Sequence, residues 1–192
     1  MKRVGVLALQ GDFEAHGKAV ERAGAEPVFV RTRAELDSVD GLIIPGGEST
    51  TMLKLLHAEN LLEPLREFGQ RKPVFGTCAG AILAARQVSN PMQESLGLMD
   101  ISVERNGYGR QVDSRVARIE PAAEFQERTE PGELEAVFIR APIIRSVGSA
   151  THVLAYYGQD PVLVAQGRHL AATFHPELTT DPRVHRYFVD SL

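Results

Sequence analysis

The chain has one cysteine, Cys78, in 192 residues, and no tryptophan. A lone thiol excludes an intrachain disulfide framework, and without a C-x-x-C pair the common zinc-ribbon spacing is missing too. Aromatic residues make up only 6%, so the core is expected to rest on Val, Leu, Ile and Ala. Long apolar runs are also lacking. The stretch 4–9 after Met1-Lys2-Arg3 is too short to span a bilayer and no small-residue cleavage site follows it. Lys and Arg form no block, and 21 basic residues against 25 acidic leave a net charge of -4. A general basic footprint for nucleic acid is therefore excluded. The expectation is a reduced, cytoplasmic setting with no nucleic-acid and no membrane partner.

What is present is a strand–helix alternation. A length of 192 residues fits one domain, residues 1–192, with a substantial core. Residues 4–9 are a continuous β-type apolar run of the kind buried on both faces of a sheet. Residues 13–23 then carry helical spacing, with Gly24 as a stop. Strands are expected at 27–30, 41–44 and 73–75, with helices at 49–58, 61–70 and 81–86 between and after them. The second half reads as strands at 101–104, 111–119, 136–139, 153–157, 162–165 and 170–174, some of them antiparallel, with a final helix over 182–189. The fold class is a single α/β domain: a mixed, mostly parallel central sheet flanked by helices.

Gly76-Thr77-Cys78-Ala79-Gly80 lies between a short strand and a helix, in the layout of the G-x-S-x-G nucleophile elbow. Such a turn lifts its central residue clear of the sheet edge. It also sets that residue at a helix N-terminus, where dipole and free N–H groups favour a thiolate. The Ala79 amide is then placed to donate to an oxyanion on an attacked carbonyl. The bland reading of Cys78 is a small buried hydrophobe; the flanking glycines and the strand–helix context favour the nucleophile.

A thiolate nucleophile needs a base, and the base an orienter. Of six histidines, His16 and His57 fall on otherwise polar helix faces and are expected to be solvated. His152 and His169 begin strands and are expected at the surface; His185 lies in the last helix. His175 follows the strand 170–174 and precedes Pro176-Glu177, which sets it on the carboxyl edge of the sheet with Cys78. Glu177 is close enough to fix its tautomer. A loop histidine beside a helix-capping acid would look the same. Pro45-Gly46-Gly47-Glu48-Ser49-Thr50 also follows a strand; its glycines allow a second oxyanion amide, while Ser49 or Thr50 serves equally as a plain N-cap. No Lys follows these glycines, so a phosphate-binding P-loop is disfavoured.

Together these three segments resemble the triad (class I) glutamine amidotransferases, and within them the vitamin B6 branch, the glutaminase subunits of pyridoxal 5′-phosphate synthase. Supporting segments are Leu9-Gln10-Gly11-Asp12, Val103-Glu104-Arg105-Asn106, Gly109-Arg110-Gln111-Val112-Asp113-Ser114, Phe138-Ile139-Arg140-Ala141-Pro142 and Leu178-Thr179. Gly80-Ala81-Ile82 stands where other branches often have Gly-His-Gln. The resemblance implies a flavodoxin-like three-layer domain that hydrolyses L-glutamine to glutamate and ammonia. It implies Cys78 as nucleophile, His175 as base and acid, Glu177 as orienter, and Gly47 and Ala79 as oxyanion donors. Gly47, Glu48, Ser49, Arg105, Ile139 and Arg140 would contact glutamine, an arginine suiting the carboxylate and Glu48 the ammonium. Ammonia would pass to a separate (β/α)8-barrel synthase subunit in a hetero-oligomer; no metal or organic cofactor is implied. Two positions depart from the pattern: Arg115 and Tyr108 stand where Phe is common. The rival readings are a DJ-1/PfpI-like cysteine hydrolase or chaperone, and a non-catalytic docking subunit.

Overall fold

The computed structural model describes residues 1–106 and 114–192. In chain order the first half runs β1 (Arg3–Leu7), α1 (Phe13–Arg22), β2 (Glu26–Val30), α2 (Arg33–Asp37), β3 (Gly41–Ile44), α3 (Ser49–Ala58), α4 (Leu62–Arg71), β4 (Val74–Thr77) and α5 (Ala79–Ala84). The second half follows with β5 (Ala85–Ser89), β6 (Met99–Glu104), β7 (Arg115–Ile119), α6 (Ala123–Arg128), β8 (Leu134–Phe138), β9 (Ile143–Val147), β10 (His152–Tyr157), β11 (Asp160–Gln166), β12 (His169–Ala172), a 3-10 turn (Pro176–Leu178) and α7 (Arg183–Val189).

Among the described residues the main sheet has the order β10-β11-β12-β4-β3-β1-β2. From β12 to β2 every neighbouring pair is parallel, whereas β10, β11 and β12 are antiparallel. The near-continuous apolar runs of β1, β3 and β4 follow from cover on both faces. One face packs Val6, Phe75, Phe138, Phe174 and Phe188 under α1, α7 and the β7–β8 ribbon. The other packs Leu7, Ile44, Met52 and Phe68 under α2, α3 and α4. A third cluster joins α5 to the small β5-β6-β9 sheet through Ala81, Ala84, Ile101 and Ile144. Because β12, β4 and β3 are adjacent and parallel, their carboxyl ends open onto one edge, where the chain delivers three loops side by side.

The expected helix 81–86 is displaced: α5 closes at Ala84, and Ala85–Ser89 pairs with β6 as a parallel strand. Pairing with a neighbour here outweighs the helix preference of an Ala-rich stretch. Helices α2 and α6 and strand β9 were not expected. α2 carries a signal, the capping box of Thr32 and Glu35. The segment Gly109 to Asp113, Tyr108, and the start of the strand expected at 111 lie outside the described residues. Arg115, where the family resemblance leads one to expect Phe, opens β7 opposite Phe138, donates to the Tyr157 hydroxyl at 3.1 Å and lies 5.5 Å over its ring. Its long side chain thus lies against an aromatic ring, much as a Phe would.

Arg183 fastens α7 to the loop ahead of β8. It is nearly buried and grips Asp181 through Nε and Nη2, while its Nη atoms donate to the carbonyls of Glu130, Gly132 and Glu133 at 2.7–3.0 Å. Arg183→Met strips three carbonyls and a carboxylate of their donor, and is expected to lower the unfolding free energy by about 3 kcal/mol. Urea denaturation measures it directly, as a lower midpoint at unchanged slope.

Candidate active site

Cys78 joins β4 to α5 at φ 51, ψ -106, a conformation that costs a non-glycine residue about 1–3 kcal/mol. The surroundings hold it there. Its N–H donates to Ala172 O at 2.8 Å. A Cβ on Gly76 would lie 2.3 Å from Gly80 O, and one on Gly80 only 2.0 Å from Ile44 O. α5 therefore rests backbone against backbone on the ends of β4 and β3, which only glycine allows. The Sγ atom, almost buried, lies 3.8 Å from Ile139 O. Ala79 is the first residue of α5, so its amide has no partner within the helix.

His175 follows the end of β12, its N–H donating to Val137 O at 2.8 Å. Its Nδ1 is 2.6 Å from Glu177 Oε1. An ionised carboxylate only accepts, so Nδ1 carries the proton and Nε2 is left for chemistry. That nitrogen is buried and has no hydrogen-bond partner among the described residues. Burial pushes the His175 pKa down, but negative charge on Cys78 and the Glu177 carboxylate outweigh it and raise it to about 10. The ring therefore holds a proton firmly once Cys78 has given one up.

The Pro45–Gly47 loop closes the third side. A Cβ on Gly46 would meet His175 Cε1 at 2.5 Å and Cys78 Cβ at 3.3 Å. Gly47 has φ +150, and the next amide, Glu48 N, donates to Gln10 Oε1 at 3.1 Å. The α3 cap is Glu48, and neither Ser49 nor Thr50 fills that role: its carboxylate accepts from Thr50 N and Thr51 N at 3.2 and 2.7 Å. The Thr51 hydroxyl, first among these donors, holds its pKa below the usual carboxylate range against a smaller effect of burial. Arg105 reaches the same corner, 2.9 Å from Thr50 Oγ1 and 3.6 Å from Glu48. Ser49 is buried and donates to Gln93 Oε1 at 3.2 Å. On the opposite side Ile139 presents its carbonyl to Cys78, and the exposed Arg140 follows at φ 46. Cys78, Ala79, His175, Glu177 and Gly47 thus lie on one edge of the sheet, with Glu48, Ser49, Arg105, Ile139 and Arg140 in the segments beside it.

Behind this edge the sequence reading needs correction. His16, expected to be solvated, is fully buried, with Nε2 3.0 Å from Thr77 Oγ1 and Nδ1 2.9 Å from His185 Nε2. The signal was legible, since His16, Ala19, Val20 and Ala23 fall at i, i+3, i+4 and i+7 on the core stripe of α1. Gln10, Thr77, Gln93 and His185 also escaped notice as site neighbours. His57 and His152 are exposed as expected, pairing Glu94 and Glu124; His169 is half-buried and accepts from Val74 N at 3.1 Å. Among the described residues no three His, Cys, Asp or Glu side chains gather as a metal site. Nor is any helix there long and apolar enough to cross a membrane.

Burial first, then His185 and His175, drives the His16 pKa well below its usual value; burial and Arg22 lower His185 to about 3. Both rings stay neutral in the fold, whereas the unfolded chain takes up their protons below about pH 6.5. Their contribution to stability is therefore complete above that pH and declines as pH falls. Between pH 6.5 and 5.5 the pair is expected to lose about 2 kcal/mol of unfolding free energy. Denaturant titrations at each pH measure the decline, and His185→Phe should halve this part of it.

The geometry agrees with comparisons against known proteins. A model of the SNO glutamine amidotransferase family matches residues 6–192. The pyridoxal 5′-phosphate synthase subunit PdxT of Solibacter usitatus is 66% identical over 192 residues, all of both chains. The PdxT of Koribacter versatilis is 53% identical over 97% of this chain and 94% of its own. A crystal structure described as a glutamine amidotransferase superposes with a TM-score of 0.88 at 46% identity, covering 98% of this chain and 97% of the other. PurLQS from Thermotoga maritima, at 17% identity and a TM-score of 0.72 over 98% of each chain, shares the fold. A match that runs through β1, the Cys78 elbow and the last helix leaves one assignment: the chain belongs to the SNO glutamine amidotransferase family.

Proposed function

We propose that this chain is the glutaminase subunit of pyridoxal 5′-phosphate synthase, acting on L-glutamine through a Cys78–His175–Glu177 triad. The observation that carries the reading is the convergence of a strained elbow thiol with an imidazole whose far nitrogen is held at 2.6 Å by a buried carboxylate. His175 Nε2 takes the Cys78 thiol proton as Sγ attacks the side-chain amide carbon, and the negative charge gathers on the carbonyl oxygen, facing the amides of Ala79 and Gly47. His175 delivers its Nε2 proton to the departing nitrogen, so the C–N bond breaks and ammonia leaves while the C–S bond remains. Water then attacks the thioester, giving a proton to His175, which returns it to sulfur as glutamate departs. Throughout, Glu177 keeps Nδ1 protonated.

For the substrate, Arg105 supplies a cation for the α-carboxylate. Glu48 keeps its negative charge for the α-ammonium while it caps α3. The Ile139-Arg140 segment forms the opposite wall, and Ser49, hydrogen-bonded to Gln93, stiffens the floor. The ammonia passes to a separate barrel-shaped synthase subunit that assembles pyridoxal 5′-phosphate from ribose 5-phosphate and glyceraldehyde 3-phosphate. The complex works in the cytoplasm and needs no metal or organic cofactor for glutamine hydrolysis. Full-length relatives named as synthase subunits support this reading over a DJ-1/PfpI-like hydrolase, and the complete triad supports it over a docking scaffold.

The test is glutamate release from L-glutamine with and without the synthase subunit. Cys78→Ala is expected to lose at least about 10³-fold in kcat. Undiminished turnover in that variant would remove the triad assignment. Gly46→Ala, which presses a methyl group onto His175, should cost about 100-fold in kcat while the protein stays folded.

A further inference from the structure

Behind Glu177, on the side away from His175, a run of buried polar groups has no part in the chemistry described so far. Glu177 Oε2 is buried and lacks a full hydrogen bond, but His16 Nε2 lies 3.4 Å from it. The same His16 nitrogen is 3.0 Å from Thr77 Oγ1, the residue before the nucleophile. His16 Nδ1 is 2.9 Å from His185 Nε2, and His185 Nδ1 is buried with no partner among the described residues. The rings come from α1 and α7, and Phe75 packs edge-on against both.

Two neutral imidazoles 2.9 Å apart share one proton, which admits two arrangements. In the first, His16 Nδ1–H donates to His185. His16 Nε2 then turns a lone pair toward a carboxylate oxygen, and His185 is left with a buried N–H that has no acceptor. In the second, His185 Nε2–H donates to His16 Nδ1. His16 Nε2–H then faces Thr77 Oγ1 and Glu177 Oε2, and the one unsatisfied atom is a lone pair on His185. The second puts a donor against an anion and leaves no orphan N–H, so it is the arrangement the burial demands.

We infer that His16 is a positioning residue of the triad: as its Nε2–H tautomer, set by His185, it holds the outer oxygen of Glu177. The inference rests on the triad reading above. A carboxylate gripped at one oxygen can swing about its own Cγ–Cδ axis; gripped at both, it keeps Oε1 aimed at His175 Nδ1. Thr77 shares the same proton, so the strand that carries Cys78 and the turn that carries Glu177 are registered through a single N–H.

The test uses the complex with the synthase subunit. His16→Leu removes the donor at similar volume; His16→Gln restores an N–H near the position of Nε2. The expected result is a kcat for glutamine hydrolysis lowered about 10- to 100-fold in His16→Leu, with KM within about threefold, and substantial recovery in His16→Gln. In the wild-type protein, nitrogen-15 NMR of the imidazoles should find the proton on Nε2 of both His16 and His185. A folded His16→Leu with wild-type kcat, or a proton on His16 Nδ1, overturns the inference. If His16→Leu does not fold, the tautomer measurement decides alone. Cys78→Ala separates the two levels: if it is inactive while His16→Leu turns over normally, the positioning role fails and the triad stands. If Cys78→Ala is active, the triad fails and the inference with it.

Discussion

The approach of Gly80 to the Ile44 carbonyl, so close that a Cβ would lie at 2.0 Å, governs the rest of the molecule. It brings α5 down onto the end of β3 with no side chain between them, and the chain enters that helix from β4 by a turn through positive φ. Cys78 occupies the turn and bears its strain. Once the elbow is set, the neighbours on either side in the sheet, β3 and β12, deliver the glycine loop and the His175 turn to the same edge. Sheet order does the gathering. The side chains then need only short loops to meet.

The site also divides its histidines by proton affinity. His175 sits beside Cys78 and a carboxylate, which raise its affinity, whereas His16 and His185, one layer deeper, have theirs lowered by burial. The difference is set by which partners reach each ring. Glu177 touches both kinds, through Oε1 toward the edge and Oε2 toward the interior. Its full burial is eased by imidazole rings that flank it on two sides.

Local signals were readable wherever one strand met one turn. The elbow, the His175-Pro176-Glu177 turn and the Pro45-Gly46-Gly47 loop each lie within a few residues, and turn chemistry marks them in the sequence. The continuous apolar strands named the sheet. What escaped reading depended on partners distant along the chain. The strand Ala85–Ser89 exists because β6 lies beside it, in residues that taken alone favour helix. The burial of His16 depends on α7 closing over α1. Arg105 reaches Thr50 from a separate small sheet, a meeting that no local pattern contains.

Parallel pairing between β4 and β12 joins segments nearly half the chain length apart, Leu170 opposite Phe75 and Ala172 opposite Thr77. Contacts of such separation form late, after the entropy of closing the intervening chain has been overcome. During synthesis the Cys78 thiol leaves the ribosome well before His175. Under the proposed triad a chain still attached there has a nucleophile without a base, and chemical competence arrives with the last strand.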